Sequence, residues 1–93
     1  MRNSNDKVIV KFYADWCGTC KLFAPVYVTL SNDAQYEGIT FLEVNAETNA
    51  EARELAGADT LPFFATFKDG TLVERIATAR KETVVGLLTR LIA

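Results

Sequence analysis

The chain has 93 residues, of which 49% are hydrophobic and 24% are charged, so we expect one soluble domain over residues 1–93. The net charge is −2 without a basic cluster, which excludes nucleic acid as a partner, because phosphate binding needs grouped positive charge. The segment before Lys7 is polar and the apolar run after it is short, so we predict no signal peptide, no membrane span and a cytoplasmic location.

The first predicted elements of the chain are a strand and a long helix. Lys7–Tyr13 is β-branched and aromatic, which predicts a strand buried on both faces. A helix is predicted from Cys17 to about Asn32, with Pro25 inside it as an expected kink. The apolar stripe of this helix is predicted to consist of Leu22, Phe23, Val26 and Leu30.

The remaining elements follow in alternation and predict a mixed α/β sheet. They are a strand at Ile39–Asn45, a helix at Glu47–Ala56 that Gly57 ends, strands at Phe63–Phe67 and Thr71–Ala77, and a helix from about Arg80 to Ile92. A tight hairpin turn is predicted at Lys68-Asp69-Gly70. The last helix should bury Val84, Leu87, Leu88 and Leu91. The order β-α-β-α-β-β-α predicts about four strands with helices on both faces.

The only two cysteines, Cys17 and Cys20, lie three positions apart where a strand ends and a helix begins. Unpaired backbone N–H groups and the positive end of the helix dipole favour a thiolate at such a position. A disulfide between such close neighbours in a reducing compartment is seldom structural. We therefore interpret the pair as a redox dithiol, with Cys17 as the exposed nucleophile and Cys20, one turn further, as the resolving cysteine.

Two alternative hypotheses for the cysteine pair are weaker. A zinc site would have to be completed by carboxylates alone, since the chain has no His and no third Cys. The second alternative is that two core cysteines have this spacing by chance. We expect no bound metal.

Four motifs follow one another along the chain: WCGTCK after VKFYAD, Ala24-Pro25 beyond Cys20, Leu61-Pro62 before the third strand, and Phe67-Lys68-Asp69-Gly70 at the hairpin. Together, and in this order, they resemble the thioredoxin family. The resemblance spans almost the whole chain and implies a thioredoxin fold. No pattern matching a glutathione site is present beyond the proline, so glutaredoxin is disfavoured.

The resemblance also implies a substrate-binding surface around the dithiol. Pro62 would be a cis-proline facing the active site, and Leu61 would pair its backbone with an incoming peptide as an added strand. Trp16 would pack beside the dithiol and shape the docking surface; the alternative is an ordinary half-buried aromatic residue. Gly18 and Thr19, between the cysteines, complete the predicted surface.

Three departures from the family pattern do not involve charge. Too few residues precede Lys7 for the family's N-terminal strand and helix, so we expect a sheet that lacks both and exposes one more edge. Thr19 replaces the family's proline, and its N–H and hydroxyl should favour the reduced form. No glycine lies between Gly70 and Gly86, and Thr78 or a neighbour stands where the family has one.

The fourth departure concerns charge. Lys11 replaces the family's buried Asp, and Glu43 stands where the next strand often has Lys, each in the middle of an apolar run. Because a lone buried ion is costly, we predict that the two form a pair with exchanged signs. Glu43 would then be the proton acceptor for Cys20, and Lys11 its buried charge partner. A charged Lys11 could instead favour the Cys20 thiolate by attraction. The alternative to a buried pair is that both side chains reach the surface.

The sequence thus predicts an enzyme, a thiol–disulfide oxidoreductase that reduces protein disulfides through Cys17 and Cys20. By resemblance, electrons would come from an NADPH-dependent flavin thioredoxin reductase, with no cofactor on this chain. We expect a monomer whose partners are protein disulfide substrates and that reductase. The alternatives are a more oxidising exchanger or isomerase, and a thioredoxin-fold binding module that does not use the thiols.

Overall fold

A mixed four-stranded sheet forms the centre of the computed structural model, which describes residues 6–93. The strands are β1 (Lys7–Tyr13), β2 (Ile39–Asn45), β3 (Phe63–Lys68) and β4 (Thr71–Ala77); the helices are α1 (Gly18–Ser31), α2 (Ala50–Ala56) and α3 (Lys81–Ile92). The strand order is β2-β1-β3-β4, with β1 parallel to β2 and the other two pairs antiparallel. The predicted order of elements and the mixed sheet are confirmed.

Helices cover both faces of the sheet, because the side chains of β1 alternate between two apolar clusters. Ile9 belongs to the cluster under α1 and α3, whereas Val10 and Phe12 belong to the cluster under α2. The predicted stripe of α3 is buried as expected, at Val84, Leu87, Leu88 and Leu91. The centre of β1 is buried, as predicted, because it pairs on both sides and is covered from both faces.

The buried stripe of α1 differs from the predicted one. Leu22 is 78% exposed and Val26 is only partly buried, whereas Phe23 and Leu30 are buried as predicted. The buried face runs through Cys20, Phe23, Tyr27 and Leu30. This spacing of three, four and three residues follows the helical period, so Tyr27 takes the place that the sequence analysis assigned to Leu22 and Val26.

Two local details explain the ends of α2 and the hairpin. Helix α2 begins three residues later than predicted, because Asn45 accepts the backbone N–H of Glu47 at 2.9 Å and holds the preceding segment in a turn. Gly57 ends it with a positive φ of 71°, as predicted. In the hairpin, Asp69 and Gly70 have φ values of 54° and 84°, the combination that a two-residue turn between twisted strands requires.

None of the helices within residues 6–93 combines the length and the apolar character that a membrane crossing requires. The predicted absence of an N-terminal strand and helix concerns a region that includes residues 1–5, which lie outside the described residues. Among the described residues, β2 and β4 are the edges of the sheet.

Candidate active site

A disulfide joins Cys17 and Cys20 at the start of α1, with their Cα atoms 5.2 Å apart. Cys17 is the N-cap of α1 and has an extended backbone, so its side chain turns back over the first turn. Its Sγ accepts the backbone N–H of Cys20 at 3.1 Å. The structure therefore places one of the unpaired helix amides against the sulfur, as the position in the sequence implies.

The prediction that Cys17 is exposed is wrong in this disulfide form. Cys17 is 4% exposed and Cys20 is 3% exposed. The reason is packing: the two cysteines and Ala14 form a small buried cluster against which Tyr13 and Leu61 pack. Exposure therefore does not distinguish the two sulfurs, and what distinguishes them is position, since Cys17 caps the helix and Cys20 lies inside it.

Thr19 lies beside the N-terminal cysteine. Its hydroxyl oxygen is 3.5 Å from Cys17 Sγ, and the hydroxyl is the donor, because a disulfide sulfur carries no hydrogen. A thiolate accepts only, so in the reduced protein the hydroxyl would be the donor. Gly18, the other residue between the cysteines, faces open space, because a Cβ added there would meet nothing within 4 Å.

The Leu61-Pro62 segment, just before β3, reaches the cysteine cluster through Leu61. The Leu61–Pro62 peptide bond is cis, as the resemblance implied. Leu61 packs against the cysteine cluster, and the carbonyl of Pro62 accepts the backbone N–H of Thr78 at 3.1 Å. A shallow cleft of about 230 Å³ lies here; its lining includes Thr19, Leu61, Pro62 and Thr78. Thr78, which the sequence analysis noted only as a replacement for glycine, thus forms part of this cleft.

Trp16 precedes Cys17 and is 67% exposed. An indole with this much free surface is not the half-buried aromatic residue of the alternative, and its role in docking stays a prediction.

Lys11 and Glu43 form an ion pair, with Lys11 Nζ 3.3 Å from Glu43 Oε2. The two residues are direct partners in the parallel pairing of β1 and β2, so both side chains project to the face that α1 covers. The Lys11 side chain is 2% exposed, whereas that of Glu43 is 47% exposed. The pair is therefore one buried cation with a half-exposed anion, and of the two side chains only Glu43 reaches the surface.

Tyr27 was missed by the sequence analysis. Its hydroxyl lies 3.1 Å from the carbonyl oxygen of Ile9 and 2.9 Å from that of Leu42, and its ring centroid lies 5.1 Å from Lys11 Nζ. Burial raises the pKa of Tyr27 far above its ordinary value, and the charge of Glu43 adds to the rise. A tyrosine on the buried helical spacing is the signal that would have found it, because a buried hydroxyl needs a partner.

A second cleft, of about 240 Å³, shares no lining residue with the first. Its lining includes Cys20, Lys11 and Glu43, together with Tyr13, Asp15 and Lys21. The structure therefore places the inner cysteine and the ion pair around one space. Within residues 6–93, no group of three or more His, Cys, Asp or Glu side chains gathers in a way that could hold a metal ion.

A cysteine pair that closes a disulfide at a helix N-terminus, next to a segment with a cis-proline, defines a thiol–disulfide oxidoreductase. The sequence model of the thioredoxin family matches residues 1–90, and the chain belongs to this family.

Relatives and solved structures agree with this assignment. Thioredoxin H-type of Chlamydomonas reinhardtii is 34% identical over 90 residues, which are 96% of this chain and 78% of that protein. The X-ray structure of Fasciola hepatica thioredoxin has a TM-score of 0.86 at 29% identity, covering 94% of this chain and 82% of that one. A structure described as a complex of ferredoxin:thioredoxin reductase and thioredoxin f2 matches with a TM-score of 0.88 at 25% identity, covering 97% of this chain and 81% of that one.

Proposed function

We propose that this oxidoreductase reduces disulfides of protein substrates, with Cys17 as the nucleophile and Cys20 as the resolving cysteine. The observation that carries the proposal is the position of Cys17 Sγ at the helix N-cap, where it accepts the N–H of Cys20 at 3.1 Å. That amide and the hydroxyl of Thr19 are donors for a thiolate on Cys17 and not on Cys20.

The reaction moves two electrons in two exchanges. The Cys17 thiolate attacks one sulfur of the substrate disulfide, a mixed disulfide forms, and the other substrate sulfur leaves with its electron pair and takes a proton. Cys20 then loses its proton and attacks Cys17 Sγ. The Cys17–Cys20 disulfide forms, and the second substrate sulfur leaves as a thiolate.

We propose that Glu43 receives the proton that Cys20 releases, directly or through water in the cleft that both line. The half-exposed carboxylate supports this role, because it borders that cleft and also bulk solvent, to which the proton can pass. Lys11 is the buried partner that holds the carboxylate there.

The substrate surface is proposed to consist of Trp16, Gly18, Thr19, Leu61 and Pro62. Trp16 and Gly18 offer exposed surface, and the cleft at Thr19, Leu61 and Pro62 lies beside the cysteines. An extended substrate segment would pair with the backbone of Leu61 as an added strand. This mode suits a surface without a deep pocket.

For its electron source we propose a thioredoxin reductase, and specifically an NADPH-dependent flavin enzyme. A neighbour of this chain is described in complex with a ferredoxin:thioredoxin reductase, which supports a reductase partner of some kind. We further propose that residues 1–93 act as one domain, that it carries no cofactor, and that it works in the cytoplasm, where a lone cysteine pair is seldom structural.

Insulin reduction tests the function and the electron source in sequence. With a chemical dithiol as reductant, the protein is expected to speed precipitation of the insulin B chain. Cys17→Ser is expected to abolish this effect, whereas Cys20→Ser is expected to trap the mixed disulfide. NADPH with a flavin thioredoxin reductase should then replace the dithiol. Reduction that survives Cys17→Ser would contradict the assignment of the nucleophile. A rate that responds only to a ferredoxin-dependent reductase would overturn the proposed electron source.

A further inference from the structure

Lys11 carries a positive charge into the interior of the domain. It is one of the largest fully buried side chains among the described residues, and the ion pair with Glu43 has a distance of 3.3 Å. Because Glu43 is 47% exposed, water screens its charge far more than that of the buried ammonium. The two charges of the pair therefore do not cancel fully, and a net positive potential remains on the buried side of the pair.

The groups around Lys11 leave this potential directed into the cleft. From β2 comes Glu43, and from α1 comes the ring of Tyr27, with its centroid 5.1 Å from Lys11 Nζ. Tyr27 stays neutral, since burial raises its pKa and its hydroxyl lies near two backbone carbonyls. The ring centroid of Tyr13 lies 6.0 Å from Lys11 Nζ. Asp15 and Lys21, which also line the cleft, are exposed and carry charges of opposite sign.

Cys20 lines the same cleft and is 3% exposed. Burial by itself disfavours a thiolate, because the anion loses its hydration. Unlike Cys17, Cys20 lies inside α1, and within residues 6–93 no helix-end amide donates to its sulfur. The lysine ammonium is the buried cation that borders the same space.

We propose that Lys11 stabilises the thiolate of Cys20 and so prepares the resolving cysteine for its attack on the mixed disulfide. The inference rests on the proposed function and deepens it. In this step the Cys20 Sγ–H bond breaks, its proton passes to Glu43 or water, and the charge left on sulfur is stabilised by Lys11. The sulfur electron pair forms the bond to Cys17 Sγ, and the bond to the substrate sulfur breaks.

Titration of Cys20 tests the proposal without any substrate. In a Cys17→Ser background Cys20 is the single thiol, and its ionisation is followed by ultraviolet thiolate absorbance. Adding Lys11→Met, which keeps the length of the side chain and removes its charge, is expected to lower the thiolate fraction at neutral pH about tenfold. Glu43→Gln is expected to raise that fraction, because the ammonium then has no counter-charge. Lys21→Met, on the exposed rim, is the matched control and should change the fraction little.

The thiolate fraction is expected to fall in Lys11→Met and to rise in Glu43→Gln, and these opposite directions separate an effect of charge from a loss of structure. Lys11→Arg keeps the charge and should keep the parent fraction; it also serves if Lys11→Met does not fold. The proposal is overturned if Lys11→Met leaves the thiolate fraction unchanged, if Lys11→Met and Glu43→Gln shift it in the same direction, or if Lys11→Arg behaves as Lys11→Met is expected to. Because no substrate is present, failure of insulin reduction and failure of this titration are independent results.

A single-turnover reaction gives the kinetic consequence in the protein with both cysteines. With a chromogenic aromatic disulfide, the first thiol released reports attack by Cys17 and the second reports resolution by Cys20. Lys11→Met is expected to slow only the second release, about tenfold at neutral pH, with recovery as the pH rises. Slowing of the first release alone would contradict the inference. The parent and Glu43→Gln are also compared at pH values that give both proteins the same Cys20 thiolate fraction. A slower second release in Glu43→Gln supports proton acceptance by Glu43, and an equal rate contradicts it.

Discussion

Thr19 is the residue of the active-site motif that separates this chain from the usual family sequence. Its hydroxyl oxygen lies 3.5 Å from Cys17 Sγ, and the residue as a whole is exposed to solvent. In the reduced protein a hydroxyl donor stabilises the thiolate more than the disulfide, since hydrogen bonds to charged groups are the stronger ones. We therefore expect Thr19 to make the dithiol less reducing, which would favour the alternative of a more oxidising exchanger.

Thr19→Val removes the hydroxyl at nearly constant shape. We expect the redox potential, measured against glutathione, to fall on the order of 30 mV, the equivalent of about 1.4 kcal/mol for a two-electron couple. Thr19→Ser keeps the hydroxyl and should stay close to the parent potential. Thr19→Pro, which also removes the backbone N–H, should fall at least as far as Thr19→Val. A potential for Thr19→Val that is unchanged or higher would refute this role of the hydroxyl.

At the scale of elements, Tyr27 connects helix α1 to the two parallel strands. Its hydroxyl reaches the carbonyl of Ile9 on β1 and that of Leu42 on β2, and its ring contacts those of Phe41 and Phe64. The tyrosine therefore holds the helix that carries the cysteines against the strands that carry Lys11 and Glu43. A loss of this contact would loosen the cleft between them.

Tyr27→Phe is expected to cost about 1–2 kcal/mol of unfolding free energy at neutral pH, for the lost buried hydrogen bond. Because burial raises the pKa of Tyr27 in the folded state, the unfolded chain ionises first, at about pH 10. The contribution is complete below that pH and declines above it, by up to about 1.4 kcal/mol per pH unit. Urea unfolding from about pH 8 to about pH 11 measures the difference between parent and variant. A difference that stays constant above about pH 10 would contradict the linkage.

At the scale of the whole molecule, the two edge strands decide whether copies associate. Strand β2 presents Leu42, 46% exposed, and β4 presents Leu72, Val73 and Ile76, each at least 40% exposed. Charges interrupt both edges, with Glu43 on β2 and Glu74 and Arg75 on β4, and a register shift between Thr66 and Phe67 breaks the pairing of β3 with β4. Such features oppose the addition of another strand.

We therefore expect the oxidised chain to be a monomer of 10.3 kDa in sedimentation equilibrium at micromolar concentration. Leu42→Lys places a further charge on the β2 edge and should leave this mass unchanged. A dimer that Leu42→Lys dissociates would show that the β2 edge associates and would overturn the monomer. A dimer that survives this change would overturn it as well and would indicate the β4 edge.

The order of the elements, the hairpin turn and the chemistry of the cysteine pair could be predicted from the sequence, because each depends on residues close together along the chain. The periodicity of Val84, Leu87, Leu88 and Leu91 and the positive φ of Gly57 are of this kind. The late start of α2 was not predicted, since the turn at Asn45 competes with a helical propensity that the sequence shows more strongly.

The sequence by itself also determined that Lys11 and Glu43 stand in two apolar runs, which made their pairing a reasonable hypothesis. Only the tertiary structure decided that Lys11 is buried while Glu43 is half exposed, that both share a cleft with Cys20, and that Cys17 is covered in the disulfide form. The physical reason is that burial and electrostatic potential depend on which distant segments pack around a group. Local pattern specifies an element, whereas the field at a sulfur atom is set by everything that surrounds it.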